Sequence, residues 1–170
     1  LEKLNLNYNL LSEIELSYNR RLKIIEISSN DFESLDISGL NLINLNLSNN
    51  RIGNIDLNDK ELLKFLDLSS NQLSNLNVSS NIQLDYLNTT QNFNLECIDV
   101  SVNQINNIPN EWEKDSFTRY SIDCSNKDIV FYEIEIYNAI SPNGNDKNDF
   151  FYIKNADKYP NNSLKIFDRN

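Results

Sequence analysis

LDLSSNQLSNLNVSSN, residues 66–81, contains one phrase written twice. Each copy opens on an apolar–polar–apolar triplet, Leu66-Asp67-Leu68 and then Leu76-Asn77-Val78. Three residues later each closes on an asparagine, Asn71 and Asn81. Working outward, the triplet recurs towards the N-terminus at Leu4-Asn5-Leu6, Ile14-Glu15-Leu16, Ile25-Glu26-Ile27, Leu35-Asp36-Ile37, Leu45-Asn46-Leu47 and Ile55-Asp56-Leu57. Towards the C-terminus it recurs at Leu87-Asn88-Thr89 and Ile98-Asp99-Val100. The asparagine recurs at Asn9, Asn19, Asn30, Asn50, Asn92 and Asn103. Self-similarity at a fixed short period marks a solenoid, in which each unit buries its apolar face only against its neighbours.

Two triplets make one coil. A single ten-residue unit is too short to close a circle around a filled interior. Every second triplet, starting at Leu4, Ile25, Leu45, Leu66 and Leu87, gives a coil of about 21 residues with a short strand on each of two faces. Alternation within each triplet predicts a strand with one buried side. Leu11, Phe32, Ile52 and Leu73, two places after an asparagine, are expected to point back into the same interior. The chain holds 32 asparagines, too many for ordinary surface loops. An inward asparagine at a tight turn bonds backbone groups that neither strand satisfies, and stacked coils would align these amides in a ladder. These units resemble the short, asparagine-rich leucine-rich repeats of Bacteroidetes-type surface proteins, over roughly the first hundred residues. That resemblance implies a mainly β, leucine-rich-repeat solenoid over residues 1–107.

Charge narrows the partners. The net charge is −10, and residues 1–126 carry most of it. An acidic solenoid repels phosphate backbones, so no nucleic-acid partner is expected. No apolar run is long enough for a membrane span, and no signal peptide is present. The chain opens mid-repeat at Leu1, which reads as an internal fragment of a longer protein. The missing leader is therefore silent about export.

After Phe93 the period fades. Residues 108–126 are expected to cap the last coil, with Trp112, Phe117 and Tyr120 plugging its open end and some helix over 112–118. Cys97 and Cys124 form one disulfide if the protein is exported, or remain two buried thiols if it is cytosolic. The segment also resembles the one that closes the repeats in the surface proteins named above. There the pairing joins strand to cap, which implies a Cys97–Cys124 disulfide here.

Residues 127–170 change character again. An alternating run, Val130 to Tyr137, precedes a turn-rich Ser141–Asp149, with further strands expected at Phe150–Lys154 and Ser163–Phe167. Ser141, Pro142, Asn143, Gly144, Asn148, Asp149 and Phe150 form one matching block; Tyr159, Pro160, Asn161, Asn162, Leu164, Ile166, Phe167 and Arg169 form another. Together they resemble the opening part of the gliding-motility-associated C-terminal domain, the type B sorting module of type IX secretion. Asn145-Asp146 stands where that family has Asp-Gly. The resemblance implies a partial, Ig-like β-sandwich sorting domain, the type IX secretion machinery as a partner, and an extracellular or outer-surface location.

Catalytic chemistry finds few parts. The chain has no histidine and only three glycines, so imidazole relays and glycine-rich phosphate loops are excluded. No metal and no cofactor are expected. The loop 143–149 alternates Asp and Asn around a Gly but lacks the bidentate Glu of a calcium loop, and reads as a plain turn. Glu15, Asp36, Asp56 and Asp99, one per coil, read as a solvated acidic row. The opposite strands read as the binding face. There Asn5, Glu26, Asn46, Asp67 and Asn88 are expected to line up, flanked by Phe65 and Tyr86 side by side. The expected function is a non-enzymatic surface module binding a protein or glycan. The alternative is a repeat region that spaces the domains of a larger surface enzyme or adhesin.

Overall fold

The computed structural model describes residues 1–125 and two short strands at 135–136 and 153–154. The chain divides into two units, Leu1–Lys127 and Asp128–Asn170. The first is a mainly β solenoid of about six turns. The second contributes β10 (Glu135–Ile136) and β11 (Ile153–Lys154), an antiparallel pair. The third expected strand, Ser163–Phe167, and the loop 143–149 lie outside the described residues.

Six parallel strands build the first sheet: β1 (Lys3–Asn5), β2 (Ile24–Glu26), β3 (Asn44–Asn46), β4 (Phe65–Asp67), β6 (Tyr86–Asn88) and β8 (Trp112–Glu113). Their register stacks Leu4, Ile25, Leu45, Leu66, Leu87 and Trp112 in one inward column. Ile25, Leu45, Leu66 and Leu87 are fully buried, and such a side chain contributes about 1.5–3 kcal/mol by leaving water. Three residues are short for a strand, and hydrogen bonds run on past each end. Leu6 N–H donates to the Glu26 carbonyl, Ile27 to Asn46, Leu47 to Asp67, Leu68 to Asn88 and Thr89 to Glu113.

The other side of the coil is less regular. Its second sheet holds β5 (Leu76–Asn77), β7 (Cys97–Asp99) and β9 (Arg119–Ser121). The earlier triplets there, at Ile14, Leu35 and Ile55, lie outside any strand. Leu16, Ile37, Leu57, Val78 and Val100 still face inward and close the core. Phe32, Ile52 and Leu73 are fully buried and Leu11 half-buried, as their spacing implies.

The asparagine ladder is present on the first side. Asn30, Asn50, Asn71 and Asn92 are buried. Each donates from Nδ2 to a carbonyl of its own turn and to one in the preceding coil: Leu6, Ile27, Leu47 and Leu68 respectively. Each Oδ1 accepts from a backbone N–H of the preceding coil, at Leu11, Phe32, Ile52 and Leu73, over 2.9–3.0 Å. The residue before each ladder asparagine (Ser29, Asn49, Ser70, Gln91), and Tyr8 before the exposed Asn9, is left-handed, with φ between 54° and 61°. A non-glycine residue there costs on the order of 1 kcal/mol, and the amide bonds of the turn offset it.

The end of the solenoid differs from the sequence reading. Trp112 begins a strand, not a helix, and pairs with Leu87; the helix lies earlier, as α1 (Val102–Asn106). The coil pattern persists through a longer spacer, and Trp112 and Tyr120 occupy the inward columns of the two sheets. Phe117 is half exposed and plugs nothing. Asn103 is exposed, so it is no ladder residue. Gln104 takes that place, accepting from Ser101 N–H and donating to the carbonyls of Val78 and Asn81. Cys97 and Cys124 form a disulfide that joins β7 to the chain beyond β9.

Candidate functional site: the outward face of the first sheet

Side chains alternate along a strand, so each inward residue of the first sheet has an outward column on either side. One column runs Asn5, Glu26, Asn46, Asp67, Asn88 and Glu113. The other runs Lys3, Ile24, Asn44, Phe65 and Tyr86. Glu111 follows Tyr86 in this order, one residue ahead of Trp112 as Tyr86 is ahead of Leu87. All seven residues singled out from the sequence fall on this face. Glu111 and Glu113 were missed because the step from Leu87 to Trp112 is longer than the repeat, and tryptophan stands where leucine is expected.

Phe65 and Tyr86 are half-buried and stack on one another, ring centroids 4.4 Å apart and planes 3° from parallel. Neighbouring strands lie about 4.8 Å apart, so the register itself dictates this spacing. Each ring therefore covers one face of the other and offers outward mainly its edge.

Much of the polar column serves the fold. Asn46 Oδ1 accepts from Ser48 N–H at 3.0 Å and from its hydroxyl at 2.8 Å. Asp67 does the same with Ser69 at 2.9 and 2.6 Å, and Asn88 with Thr90 at 3.0 and 2.8 Å. Asn5 accepts from Asn7 N–H. These bonds turn the chain out of each strand. Among the described residues, the Asn46 and Asn88 amide N–H groups and the second Asp67 oxygen have no hydrogen-bond partner.

Charge on this face is uneven. At its N-terminal end the carboxylates are neutralised: Lys3 pairs with Glu26 at 3.0 Å and Lys23 with Glu2 at 3.7 Å. Asn5 Nδ2 also donates to Glu26 at 2.7 Å. Around the aromatic pair, Asp67, Asp85, Glu111 and Glu113 have no ion-pair partner among the described residues. Asp115 is committed, accepting from the backbone N–H groups of Gln91 and Asn92.

The acidic row of the opposite side is occupied by its own turns. Glu15 accepts from Ser17 N–H, Asp36 from Ser38 and Asp56 from Asn58. Those backbone bonds hold the Glu15 and Asp36 carboxyls below the ordinary carboxylate range. Asp99 accepts from Cys124 N–H at 2.7 Å and anchors the chain beside the disulfide. A shallow depression of about 260 Å³ lies between Asp36, Asp56 and Lys60. Among the described residues, no group of three or more His, Cys, Asp or Glu could hold a metal ion. No helix among them is long and apolar enough to cross a membrane.

Residues 134–170 match the CHU_C type IX secretion signal domain. No curated protein matches the chain. Among solved structures it is similar to the functional domain of InlJ from Listeria monocytogenes, which includes a cysteine ladder. The similarity stands at 25% identity and a TM-score of 0.50 over 58% of this chain. The chain spans about a quarter of that structure's length. The architecture and the matched signal together show a leucine-rich-repeat-type solenoid joined to a type IX secretion signal domain, in a chain exported to the cell surface or beyond.

Proposed function

We propose that the solenoid is a non-catalytic binding module presenting the outward face of its first sheet to a macromolecule at the cell surface. The observation that carries this reading is the Phe65–Tyr86 stack. Two large rings stand half out of water on a rigid sheet, a costly arrangement for which the core has no need. Beside them the Asp67 and Asn88 side chains keep unused polar atoms. The chain has no histidine and its cysteines are oxidised, so neither an imidazole base nor a thiolate is at hand.

Glycan and surface-protein arrays probed with the whole chain, wild type and Phe65→Ala/Tyr86→Ala, test the reading. The double variant should lose at least about tenfold in affinity, the cost of an aromatic hot spot, and melt within a few degrees of wild type. A variant that melts much earlier with affinity intact would make the rings packing residues. A wild-type chain that captures nothing would leave the solenoid a spacer between other domains.

A further inference from the structure

We infer that the partner of this face is a basic polypeptide segment, whose Arg or Lys stem lies across the Phe65–Tyr86 stack while its cationic head reaches the surrounding carboxylates. The inference rests on the binding role proposed above and names the partner's chemistry.

Three features of the face converge on it. The rings are stacked on each other along the solenoid axis. A sugar needs the open face of a ring to stack on, and here each ring has one face covered by the other. Ring edges and the top of the stack instead form a narrow apolar ridge, suited to the methylene stem of a long basic side chain. The ridge also runs among carboxylates. Asp67 follows Phe65 by two residues, Asp85 precedes Tyr86 by one, and Glu111 and Glu113 continue the two outward columns beyond Tyr86 and Asn88. None of the four has an ion-pair partner among the described residues; of the two lysines adjacent in sequence, Lys64 precedes Phe65, and Lys114 follows Glu113 but turns to the Asp115 carbonyl and the Tyr120 ring. Finally, the other end of this face is neutralised, by the Lys3–Glu26 pair within the two columns and by the Lys23–Glu2 pair just ahead of the strands. The unbalanced negative charge is thus concentrated at the aromatic ridge rather than spread evenly along the face. Complementary potentials favour a cationic segment there and oppose an acidic one.

The test titrates the whole chain with three probes: a peptide alternating Arg and Ser, its Glu-for-Arg counterpart, and a neutral β-glucan hexasaccharide. Isotope-labelled protein reports the contact by amide shifts. The Arg peptide should shift the amides of β4, β6 and β8, and its affinity should weaken as salt rises from about 50 to about 500 mM. Glu111→Gln/Glu113→Gln should weaken it by about fivefold, as expected for the loss of two exposed ion pairs. The charge-matched control, Glu13→Gln/Glu33→Gln, should leave it unchanged. Equal losses in the two variants would show unspecific attraction to an acidic protein and overturn the inference. Binding of the hexasaccharide at Phe65 and Tyr86, with none of the Arg peptide, would overturn the partner class while leaving the binding role standing. Shifts by none of the probes, in a chain that still captures a target on the arrays, would likewise reject the basic segment alone.

Discussion

The two sides of this solenoid begin from the same repeated phrase and end differently. On the first side, Asn30, Asn50, Asn71 and Asn92 repeat one set of hydrogen bonds, and every coil contributes a strand. On the second side the equivalent positions hold Asn19, Leu40, Lys60, Asn81 and, displaced by one, Gln104. Leu40 and Lys60 are both buried, yet neither can both donate to and accept from the neighbouring backbone. Asn81 donates to the carbonyls of Leu57 and Lys60 while its own oxygen is buried with no partner among the described residues. Strands form on that side only from Leu76 onward. A short strand alone is too weak to hold its register, and the asparagine that bonds two coils at once supplies what is missing. Where the ladder is interrupted, the chain relies on side-chain packing and, at its end, on a covalent link.

The largest expected effect tests the ladder directly. Asn71→Ala orphans the Ile52 N–H inside the core and removes the bonds donated to the carbonyls of Leu47, Leu68 and Ser69, of which Leu47 keeps the one from Asn50; roughly 3–5 kcal/mol is expected for one buried group left unpaired and three bonds lost. Asn81→Ala removes only donated bonds and an already unpaired oxygen, so about 1–2 kcal/mol is expected. Denaturant melts of both variants would break the comparison if the two costs came out equal.

Reduction of Cys97–Cys124 comes next. Opening a link between residues 27 apart removes about 3.5 kcal/mol in the chain-entropy model. The loss should fall on β7 and β9, read as faster amide exchange there than in β2 to β4. Uniform acceleration across both sheets would show that the second side does not depend on the staple.

The smallest effect concerns Tyr120, whose ring packs 5.8 Å from Trp112 and whose hydroxyl is buried with no partner among the described residues. Burial pushes its ionisation up to about 12 from 10.0. The neutral form is favoured in the fold, so its contribution is intact below pH 10.0 and is lost as pH rises towards 12. Tyr120→Phe should be neutral or stabilising by up to about 1 kcal/mol at pH 7. It should also flatten the fall in melting temperature above pH 10. A clear loss of stability at pH 7 would mean that the hydroxyl is bonded after all.

Export was legible in residues 134–170, because the two matching blocks run along adjacent chain. The candidate face was legible in part. A register of about 21 residues is enough to put Phe65 beside Tyr86 and Asp67 beside Asn88. That Asn46, Asp67 and Asn88 spend an oxygen on their own turns follows from the Ser or Thr two residues later, a signal the sequence itself carries. Glu111 and Glu113 were hidden because a helix and a loop intervene before the strand resumes at Trp112.

By itself the sequence determined the coil, its inward columns, the ladder on the first side and the acidic balance, since each depends on residue type repeated at fixed spacing. Tertiary structure decided where the period survives a longer spacer, which of two similar sides becomes a full sheet, and that Gln104 rather than Asn103 closes the ladder. It also decided which carboxylates are already paired. These outcomes depend on distances between coils, and a side chain's partner in the next turn is fixed only when the turns are stacked.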